Sequence, residues 1–387
     1  MYILGIGSFG AIVYELCKRK NIGISAFIDL GQGSQRTSFV GVPVVAISEV
    51  TAGSELIVVS NRWNHGWINH TFGSGMNLVY PEELFDSFKD IIDSDYEEIA
   101  GVTWSKQKVA DELKNYLSAS HLRKVGKDIG VSPRLITLDI EVTERCTLKC
   151  QDCSNLMQYY SKPVDPNIKK GLFAMKRLLE SCHVGCIRII GGEPLIARDL
   201  EKYLLALKDE VRDRYDRIEI YTNGTIIPSE QVLEILVDLP VTFYVSNYGD
   251  LSRRLNQLCS ILKERQISYT VEDNLIWQDC GRVLPYSGKE IQYRYANCCV
   301  SKNFSLLEDR LFSCPFSANF HRIYQEDLIT DRDFISLSDI TDSELFDKLN
   351  QMIFEEQPLS SCYHCAGRDY TVGTVEVAKQ SSNVLKR

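Results

Sequence analysis

Three cysteines in one short segment are the residues of this chain best suited to chemistry. Cys146, Cys150 and Cys153 stand in the spacing C-x3-C-x2-C, directly after an apolar run that ends at Val142. Soft thiolates that converge from one loop suit an iron–sulfur cluster, because a closed structural zinc site takes four protein ligands. A 4Fe-4S cluster held by three cysteines leaves one iron open to a small molecule. A zinc knuckle or a group of buried thiols is the alternative interpretation.

The segment from Cys146 to Cys153, called the cysteine loop below, resembles the cluster loop of the radical S-adenosylmethionine (radical SAM) superfamily. The spacing, the Thr-Leu-Lys insert and the preceding strand carry this resemblance. It implies that the loop holds a 4Fe-4S cluster to which SAM binds. Asp152 departs from the family, which usually has an aromatic residue immediately before the third cysteine. If this carboxylate faces the cluster, it should make reduction harder.

A second segment, GGEP, follows a predicted strand and resembles another signature of the same family. Two glycines allow backbone to approach a ligand closely, and the glutamate supplies a charge that can face an ammonium group. In the family this segment binds the methionine amino group of SAM. The resemblance therefore assigns SAM binding to Gly191, Gly192, Glu193 and Pro194.

The elements that must position these segments alternate between strands and helices over residues 134–290. This alternation predicts an α/β core, and the resemblance implies a partial (β/α)6 barrel of the TIM type, in which functional groups lie at the carboxyl ends of the strands. Residues that follow two of these strands resemble family positions that contact SAM, namely Thr222, Asn223, Ser246 and Asn247. Cys280 is a candidate catalytic thiol that returns a hydrogen atom to a substrate radical, although a small buried hydrophobic role is the alternative.

Cysteines concentrate again in residues 291–375, which are predicted to form a small, irregular domain. Four thiolates suffice for a fully ligated second cluster. Their order and spacing resemble the Twitch class of auxiliary-cluster domains, a shortened relative of SPASM, and zinc bound by the same thiolates is the alternative. The sequence does not decide between Cys298 and Cys299, of which we favour the second. The predicted ligands are Cys299, Cys314, Cys362 and Cys365.

Residues 1–95 predict a small Rossmann-like α/β domain. A short strand leads into Gly5, Gly7 and Gly10 in the order G-x-G-x-x-G, a helix follows, and a second strand ends at Asp29. Backbone amides at the helix start can hold an anionic group, and the aspartate can bond a ribose hydroxyl. The later text GVPV adds a resemblance to the amino-terminal domain of bacterial sugar acyltransferases, which implies nucleotide-sugar binding. A scaffold that binds nothing is the alternative.

Composition limits the remaining possibilities. The 387 residues carry a formal net charge of -9, which argues against a nucleic-acid-binding surface, and no apolar run is long enough for a membrane span. The thirteen cysteines fall in short-spaced sets without a signal peptide, so metal ligation in a cytoplasmic protein explains them better than disulfides. Residues 96–133 predict a helical linker, and the polar tail 376–387 is expected to fray.

The resemblance implies a radical SAM oxidoreductase or epimerase. A reductant such as flavodoxin or ferredoxin would supply an electron to the cluster, and the 5'-deoxyadenosyl radical from SAM would abstract hydrogen from the substrate. The N-terminal domain favours a nucleotide-linked sugar as the small-molecule substrate, oxidised or epimerised in glycan or natural-product biosynthesis. Maturation of a ribosomal peptide is one alternative. A non-enzymatic iron–sulfur or zinc nucleotide-binding regulator is another.

Overall fold

The computed structural model describes residues 1–5, 8–28, 37–59, 75–84, 96–99, 102–105, 134–273, 277–286, 290–298, 300–301, 303–324, 332–354, 357–368 and 372–381. The chain divides into two compact units. The first comprises Met1–Asp128, Ala296–Cys299 and Asp369–Thr371, and the second comprises Ile129–Tyr295, Val300–Arg368 and Val372–Arg387. Of the helices in these described ranges, none combines the length and the apolar character that crossing a membrane requires.

The first unit contains a six-stranded sheet in the spatial order β3-β4-β2-β1-β5-β6. All neighbouring pairs are parallel except the β3–β4 hairpin at the edge. The parallel strands lie in the order β4-β2-β1-β5-β6, which corresponds to the first five strands of the doubly wound order 3-2-1-4-5-6. The strands are β1 Tyr2–Leu4, β2 Ala26–Ile28, β3 Ser38–Phe39, β4 Val42–Val45, β5 Glu55–Val58 and β6 Asn77–Val79.

Helix α1 (Ser8–Arg19) packs closely on this sheet through its apolar face. A Cβ at Gly10 would lie 2.9 Å from the Gly5 carbonyl oxygen and 3.3 Å from Val59 Cγ2. The third glycine of the motif is therefore required for close helix–strand packing. A short helix, α2 (Pro81–Leu84), follows β6. Gly7 and Asp29 lie outside the described residues.

The predicted helical linker over residues 96–133 is wrong in the part that the structure describes. Strands β7 (Tyr96–Ile99) and β8 (Val102–Ser105) pair in an antiparallel hairpin. These strands are rich in β-branched and aromatic residues, which favour a pleated surface, and their preference overrides the helix-forming composition of the surrounding sequence. Residues 106–133 lie outside the described residues.

The second unit is built on strands that pair in the order in which they follow along the chain. Strands β9 to β13 are parallel neighbours, and helices α3 to α6 connect successive strands from β9 onwards. Asn167 and Ser229 cap the helices α3 and α5 with side-chain oxygens. The elements are β9 Arg134–Glu141, α3 Ile168–Ser181, β10 His183–Ile190, α4 Leu200–Asp209, β11 Tyr215–Thr222, α5 Glu230–Val237, β12 Val241–Ser246, α6 Leu255–Glu264 and β13 Ser268–Glu272.

The predicted separate domain over residues 291–375 instead continues this sheet. Strand β15 (Phe304–Leu307) lies parallel to β9, with Phe304 opposite Leu138, and β16 and β17 extend the sheet antiparallel. The sixth parallel strand therefore lies beside the first, not beside the fifth as in a (β/α)6 barrel. All four residues of β15 are buried, which suits a strand with neighbours on both sides. The later elements are α7 Glu290–Asn297, β16 Arg310–Phe312, α8 Pro315–Tyr324, β17 Phe334–Ser336 and α9 Asp342–Phe354.

The described part of the C-terminal tail is ordered, so the prediction that it frays is wrong there. Strands β14 (Trp277–Gln278) and β18 (Thr374–Val375) form a small antiparallel sheet. The chain then continues to an isolated antiparallel bridge between Gln380 and Cys150, and Ala378 is only 1% exposed. Main-chain pairing, which polar composition does not reveal, holds this segment. Residues 382–387 lie outside the described residues.

Candidate functional site

The cysteine loop follows β9 at its carboxyl end, where the sequence analysis places it. Burial raises the pKa of the Cys146 thiol to about 12 and that of Cys150 to about 11, and it also raises the pKa of Cys153. Neutral thiols are favoured there unless a cationic group binds. Within the described ranges, no three side chains of His, Cys, Asp or Glu lie close enough to hold one metal ion.

The donor set of the loop fits a 4Fe-4S cluster. Two of its thiol sulfurs accept hydrogen bonds. Leu148 N donates to Cys146 Sγ at 3.4 Å, and Gln380 Nε2 donates to Cys150 Sγ at 3.4 Å. Hydrogen bonds of this kind stabilise the negative charge of cluster thiolates. Cys146, Cys150 and Cys153 are therefore the residues that would hold the cluster.

The GGEP segment runs directly alongside the chain that enters the cysteine loop. Gly192 N donates to Thr143 O at 2.9 Å, and Glu193 N donates to Arg145 O at 2.8 Å. Gly191 has φ +151°, and a Cβ there would lie 2.3 Å from Thr143 O. A Cβ at Gly192 would lie 2.2 Å from Arg145 O. The backbone that enters the loop occupies the space that a side chain would need at these two positions. Only glycine therefore fits at both of them.

Glu193 joins the ends of β10 and β11. Its Oε1 accepts from Leu195 N at 3.1 Å and from Thr222 Oγ1 at 2.9 Å, and its Oε2 accepts from Asn223 N at 2.9 Å. Burial raises the pKa of this carboxyl to about 7, against the effect of these three donors. The side chain is fully buried. Glu193 therefore positions the two turns, and its contact with an ammonium group stays a prediction.

Asn223 connects these turns to the first cysteine. Its Nδ2 donates to Thr147 Oγ1 at 3.0 Å and lies 3.7 Å from Cys146 Sγ. Its Oδ1 accepts from Thr225 Oγ1 at 2.6 Å, and the Thr147 and Thr225 hydroxyls are 2.6 Å apart. The structure thus brings the cysteine loop, GGEP and the Thr-Asn-Gly turn into one hydrogen-bonded assembly.

Ser252 is a positioning residue that the sequence analysis missed. Its hydroxyl lies 2.8 Å from Asn223 O and 3.0 Å from Ser246 O, and it accepts from Tyr248 N. Asn247 is held separately, since its Nδ2 donates to Asp273 Oδ1 at 2.7 Å. A serine in a loop carries no periodic signal, so only the fold identifies this link between the turns after β11 and β12.

Asp152 has a cationic partner. Arg282 Nε donates to Asp152 Oδ1 at 2.7 Å, and the carboxylate side chain is only 7% exposed. A Cβ at Gly281 would lie 2.4 Å from Asp152 O, so this segment packs tightly against the cysteine loop. Its neighbour Cys280 is buried, and its catalytic role stays a prediction.

Three of the predicted auxiliary ligands lie together in the second unit. Cys314, Cys362 and Cys365 belong to one apolar cluster that also contains Leu156 and Tyr160, which follow the cysteine loop. Ser317 N donates to Cys314 Sγ at 3.3 Å, and Gly367 N donates to Cys365 Sγ at 3.3 Å. Cys299 lies outside the described residues, and its neighbour Cys298 belongs to the first unit.

One face of the core sheet carries polar side chains that the sequence analysis did not use. Asp139, Arg188 and Glu219 lie opposite one another on β9, β10 and β11. Arg188 Nε donates to Asp139, and Tyr221 OH donates to Glu219 Oε2 at 3.0 Å. Tyr221 stacks on Tyr244 with ring centroids 5.0 Å apart. The residues that flank them on each strand are buried and apolar. This alternation with a period of two residues was the sequence signal that could have identified the polar face of the sheet.

Part of the second unit is similar to a known protein family. The family model described as the Radical SAM superfamily matches residues 140–265, which contain the cysteine loop, GGEP and the turns after β11 and β12. Residues 140–265 are therefore similar to the Radical SAM superfamily.

Similarity to individual proteins is confined to parts of the chain. A GTP 3',8-cyclase from Ectopseudomonas mendocina is 32% identical over 144 residues, which are 37% of this chain and 39% of the relative. Putative protein YfkA of Bacillus subtilis is 30% identical over 111 residues, which are 26% of this chain and 29% of the relative. The chain therefore spans less than half the length of these curated relatives.

The chain is also similar in part to solved structures. The structure of BtrN in complex with AdoMet and 2-DOIA is 18% identical, with a TM-score of 0.40, and the match covers 66% of this chain and all of that one. The structure of anSMEcpe with bound AdoMet is 15% identical, with a TM-score of 0.40, and the match covers 58% of this chain and 84% of that one.

Proposed function

We propose that this protein is a radical SAM enzyme that abstracts hydrogen from a small polar substrate. The observation that carries the proposal is the hydrogen-bonded assembly of the cysteine loop with GGEP and the Thr-Asn-Gly turn. Cys146, Cys150 and Cys153 would hold a 4Fe-4S cluster that, once reduced, would give SAM one electron and break it into methionine and a 5'-deoxyadenosyl radical, which would take a hydrogen atom from a substrate carbon. A flavodoxin or ferredoxin is the proposed electron donor.

The protein contributes position and electrostatics. Gly191 and Gly192 leave room for the loop backbone, Glu193 fixes the distance between the ends of β10 and β11, and Asn223 orients the first cysteine. Groups fixed in this way would keep the cluster and SAM in a defined position, which favours reaction at one substrate carbon. Ser246 and Asn247 are proposed SAM contacts from the next turn.

The reaction type depends on what happens to the substrate radical. Oxidation requires the loss of a second electron and a proton, and an auxiliary 4Fe-4S cluster at Cys314, Cys362, Cys365 and Cys299 is the proposed electron acceptor. Epimerisation instead requires a hydrogen atom delivered to the opposite face, for which Cys280 is the proposed donor. The apolar cluster that Cys314 shares with Leu156 and Tyr160, two residues that follow the cysteine loop, supports the first route.

The proposed substrate is a nucleotide-linked sugar. One face of the sheet carries the carboxylates of Asp139 and Glu219 and the guanidinium of Arg188. Carboxylates can accept hydrogen bonds from sugar hydroxyls, and a guanidinium can bind a phosphate. The Rossmann-like strand order of the first unit supports a nucleotide site, and the name of the GTP 3',8-cyclase relative places its chemistry on a nucleotide. Maturation of a ribosomal peptide remains the rival proposal.

Anaerobic reconstitution tests the core of the proposal. The wild-type chain should bind about eight irons with two 4Fe-4S clusters and, once reduced, convert SAM to 5'-deoxyadenosine. Cys150→Ala should abolish this conversion, whereas Cys259→Ala, a change on α6 at a cysteine that belongs to neither predicted ligand set, should retain it. Zinc bound at the thiols, with no SAM cleavage, would overturn the proposal.

Substrate and reaction type need separate measurements on the full chain. Calorimetric titration with a panel of nucleotide sugars should give saturable binding, and failure of every member would remove the sugar proposal while leaving SAM cleavage intact. Turnover in deuterated solvent then distinguishes the outcomes. Deuterium on carbon indicates epimerisation through an exchangeable thiol, and a product oxidised by two electrons indicates the auxiliary cluster as acceptor.

A further inference from the structure

The C-terminal segment 374–381, called the strap below, runs antiparallel to the cysteine loop. Gln151 N donates to Lys379 O at 2.8 Å, and Ser381 N donates to Lys149 O at 2.6 Å. These bonds flank the bridge between Cys150 and Gln380. At its other end the strap is anchored by β18, which pairs with β14. The strap therefore holds the middle of the cysteine loop by main-chain hydrogen bonds on both sides of Cys150.

The side chain of Gln380 completes this contact with a fixed orientation. Its Oε1 accepts from Lys149 N at 2.8 Å, whereas its Nε2 donates to Ala378 O at 2.7 Å and to Cys150 Sγ at 3.4 Å. The oxygen faces a donor and the nitrogen faces two acceptors, so the two ends of the amide cannot be exchanged. Ala378 has φ +50° and is buried. The turn of the strap is therefore packed into the protein and is not exposed to solvent.

We propose that Gln380 is a positioning residue that raises the reduction potential of the SAM-binding cluster through its hydrogen bond to Cys150. This inference rests on the proposed function, because it requires a cluster at the cysteine loop. Reduction adds negative charge to the cluster and its thiolates, and an N–H dipole aimed at a sulfur stabilises that charge. Loss of this bond therefore makes the cluster harder to reduce.

Two substitutions separate the hydrogen bond from the shape of the strap. Gln380→Glu keeps an oxygen that can accept from Lys149 N but replaces the donor to Cys150 with a carboxylate. Gln380→Leu removes both polar ends at a similar size. Lys379→Ala is the matched control, because this residue contributes its main-chain carbonyl to the loop and its side chain pairs only with exposed Glu376 among the described residues.

The measurement is a redox titration of the reconstituted full-length protein, followed by electron paramagnetic resonance of the reduced cluster. To isolate the SAM-binding cluster, it is carried out in a Cys314→Ala background as well as in the wild type. Both Gln380 variants should have a more negative midpoint potential, with the larger shift in Gln380→Glu, which adds a charge. Lys379→Ala should have the potential of the unsubstituted protein.

The possible results distinguish the role of Gln380 from the proposed function of the protein. Unshifted potentials in variants that carry a full cluster would overturn the role of Gln380. Loss of the cluster from both Gln380 variants, with retention in Lys379→Ala, would also overturn it, since the residue would then act only in assembly. Failure of the wild-type chain to form any cluster at Cys146, Cys150 and Cys153 would instead contradict the proposed function itself.

Discussion

Asp152 shows at the scale of single residues how the structure changes the meaning of a sequence difference. From the sequence, a carboxylate next to the third cysteine should oppose cluster reduction. The structure pairs this carboxylate with Arg282, so the two charges offset each other and the local field at the loop is weaker than that of a lone aspartate. The sequence could identify Asp152 as unusual, but its partner is distant in the chain and only the fold reveals it.

We expect Arg282→Leu to destabilise the protein by about 1–3 kcal/mol, because the nearly buried Asp152 carboxylate would lose a charged donor. Urea unfolding measures this change in the free energy of unfolding. Adding Asp152→Asn to the variant should recover most of the loss. The control is Arg265→Leu, which breaks an exposed pair with Glu230 and should cost about 0–1 kcal/mol. Equal losses in the two arginine variants would contradict this prediction.

Gly192→Ala should impair cluster assembly. The added Cβ would lie 2.2 Å from Arg145 O and 2.8 Å from Cys146 Cβ, so the backbone that carries the first cysteine has to move. We expect a fall in iron content and a loss of SAM cleavage of about 100-fold or more, since small displacements of positioned groups have effects of this size. Gly23→Ala, with no atom within 4 Å of its added Cβ, is the control and should match the wild type. Normal iron content in Gly192→Ala would refute the steric argument.

At the scale of elements, local pattern predicted much of the core. Strands β9 to β13 alternate with amphipathic helices along the chain, and their parallel order follows from this alternation. The pairing of β15 with β9 was missed, because contact between strands far apart in sequence leaves no local signal. The β7–β8 hairpin was missed for a different reason, since helix-forming neighbours on both sides obscured its strand propensity.

A buried polar link joins β9 to α8, the helix that follows Cys314. Asn319 Nδ2 lies 3.0 Å from both carboxylate oxygens of Glu141, and Tyr160 OH donates to Asn319 Oδ1 at 2.7 Å. Burial raises the pKa of Glu141 from 4.5 to about 8, and the amide donor opposes this rise. The link therefore connects the strand before the cysteine loop with the helix beside the predicted auxiliary ligands.

Asn319→Leu should destabilise the protein more at high pH than at low pH. A carboxyl whose folded pKa is raised contributes stability below its unfolded pKa near 4.5, and this contribution is lost as the pH rises through about 8. Without Asn319 the ionised form loses its donor, so the folded pKa rises further and the penalty grows above pH 8.

Urea unfolding at pH 5.5 and pH 9 measures the difference for this variant. We expect an additional loss of about 1–3 kcal/mol at the higher pH, the usual effect of removing a donor from a buried charge. Tyr160→Phe removes only the hydroxyl from the same amide and should give a loss that does not depend on pH in this range. A pH-independent loss in Asn319→Leu would contradict the assignment of Glu141 as the titrating group.

At the scale of the whole molecule, the second unit is held together by segments from distant parts of the chain. Strand β15 completes the sheet beside β9, and the strap returns to the cysteine loop after the last predicted ligand, Cys365. The concentration of cysteines suggested a separate domain, and polar composition suggested a frayed tail. Main-chain hydrogen bonds to the core decide their positions, and a sequence pattern does not encode such partners.

The proposed auxiliary site can be tested by a substitution that leaves the three cysteines of the cysteine loop unchanged. Cys314→Ala should reduce iron from about eight to about four per chain, because one ligand of the proposed second cluster is lost. SAM cleavage without substrate should persist, since the cysteine loop is unchanged. Oxidised product should disappear if the auxiliary cluster accepts the second electron.

Cys298→Ala and Cys299→Ala then identify the fourth ligand, and we expect the iron loss in the second. Cys259→Ala serves again as the control with full iron. Unchanged iron content in Cys314→Ala, or zinc in place of iron in the wild type, would exclude the second cluster. The substrate radical would then have to be quenched by hydrogen transfer, and epimerisation through a thiol such as Cys280 would become the favoured reaction.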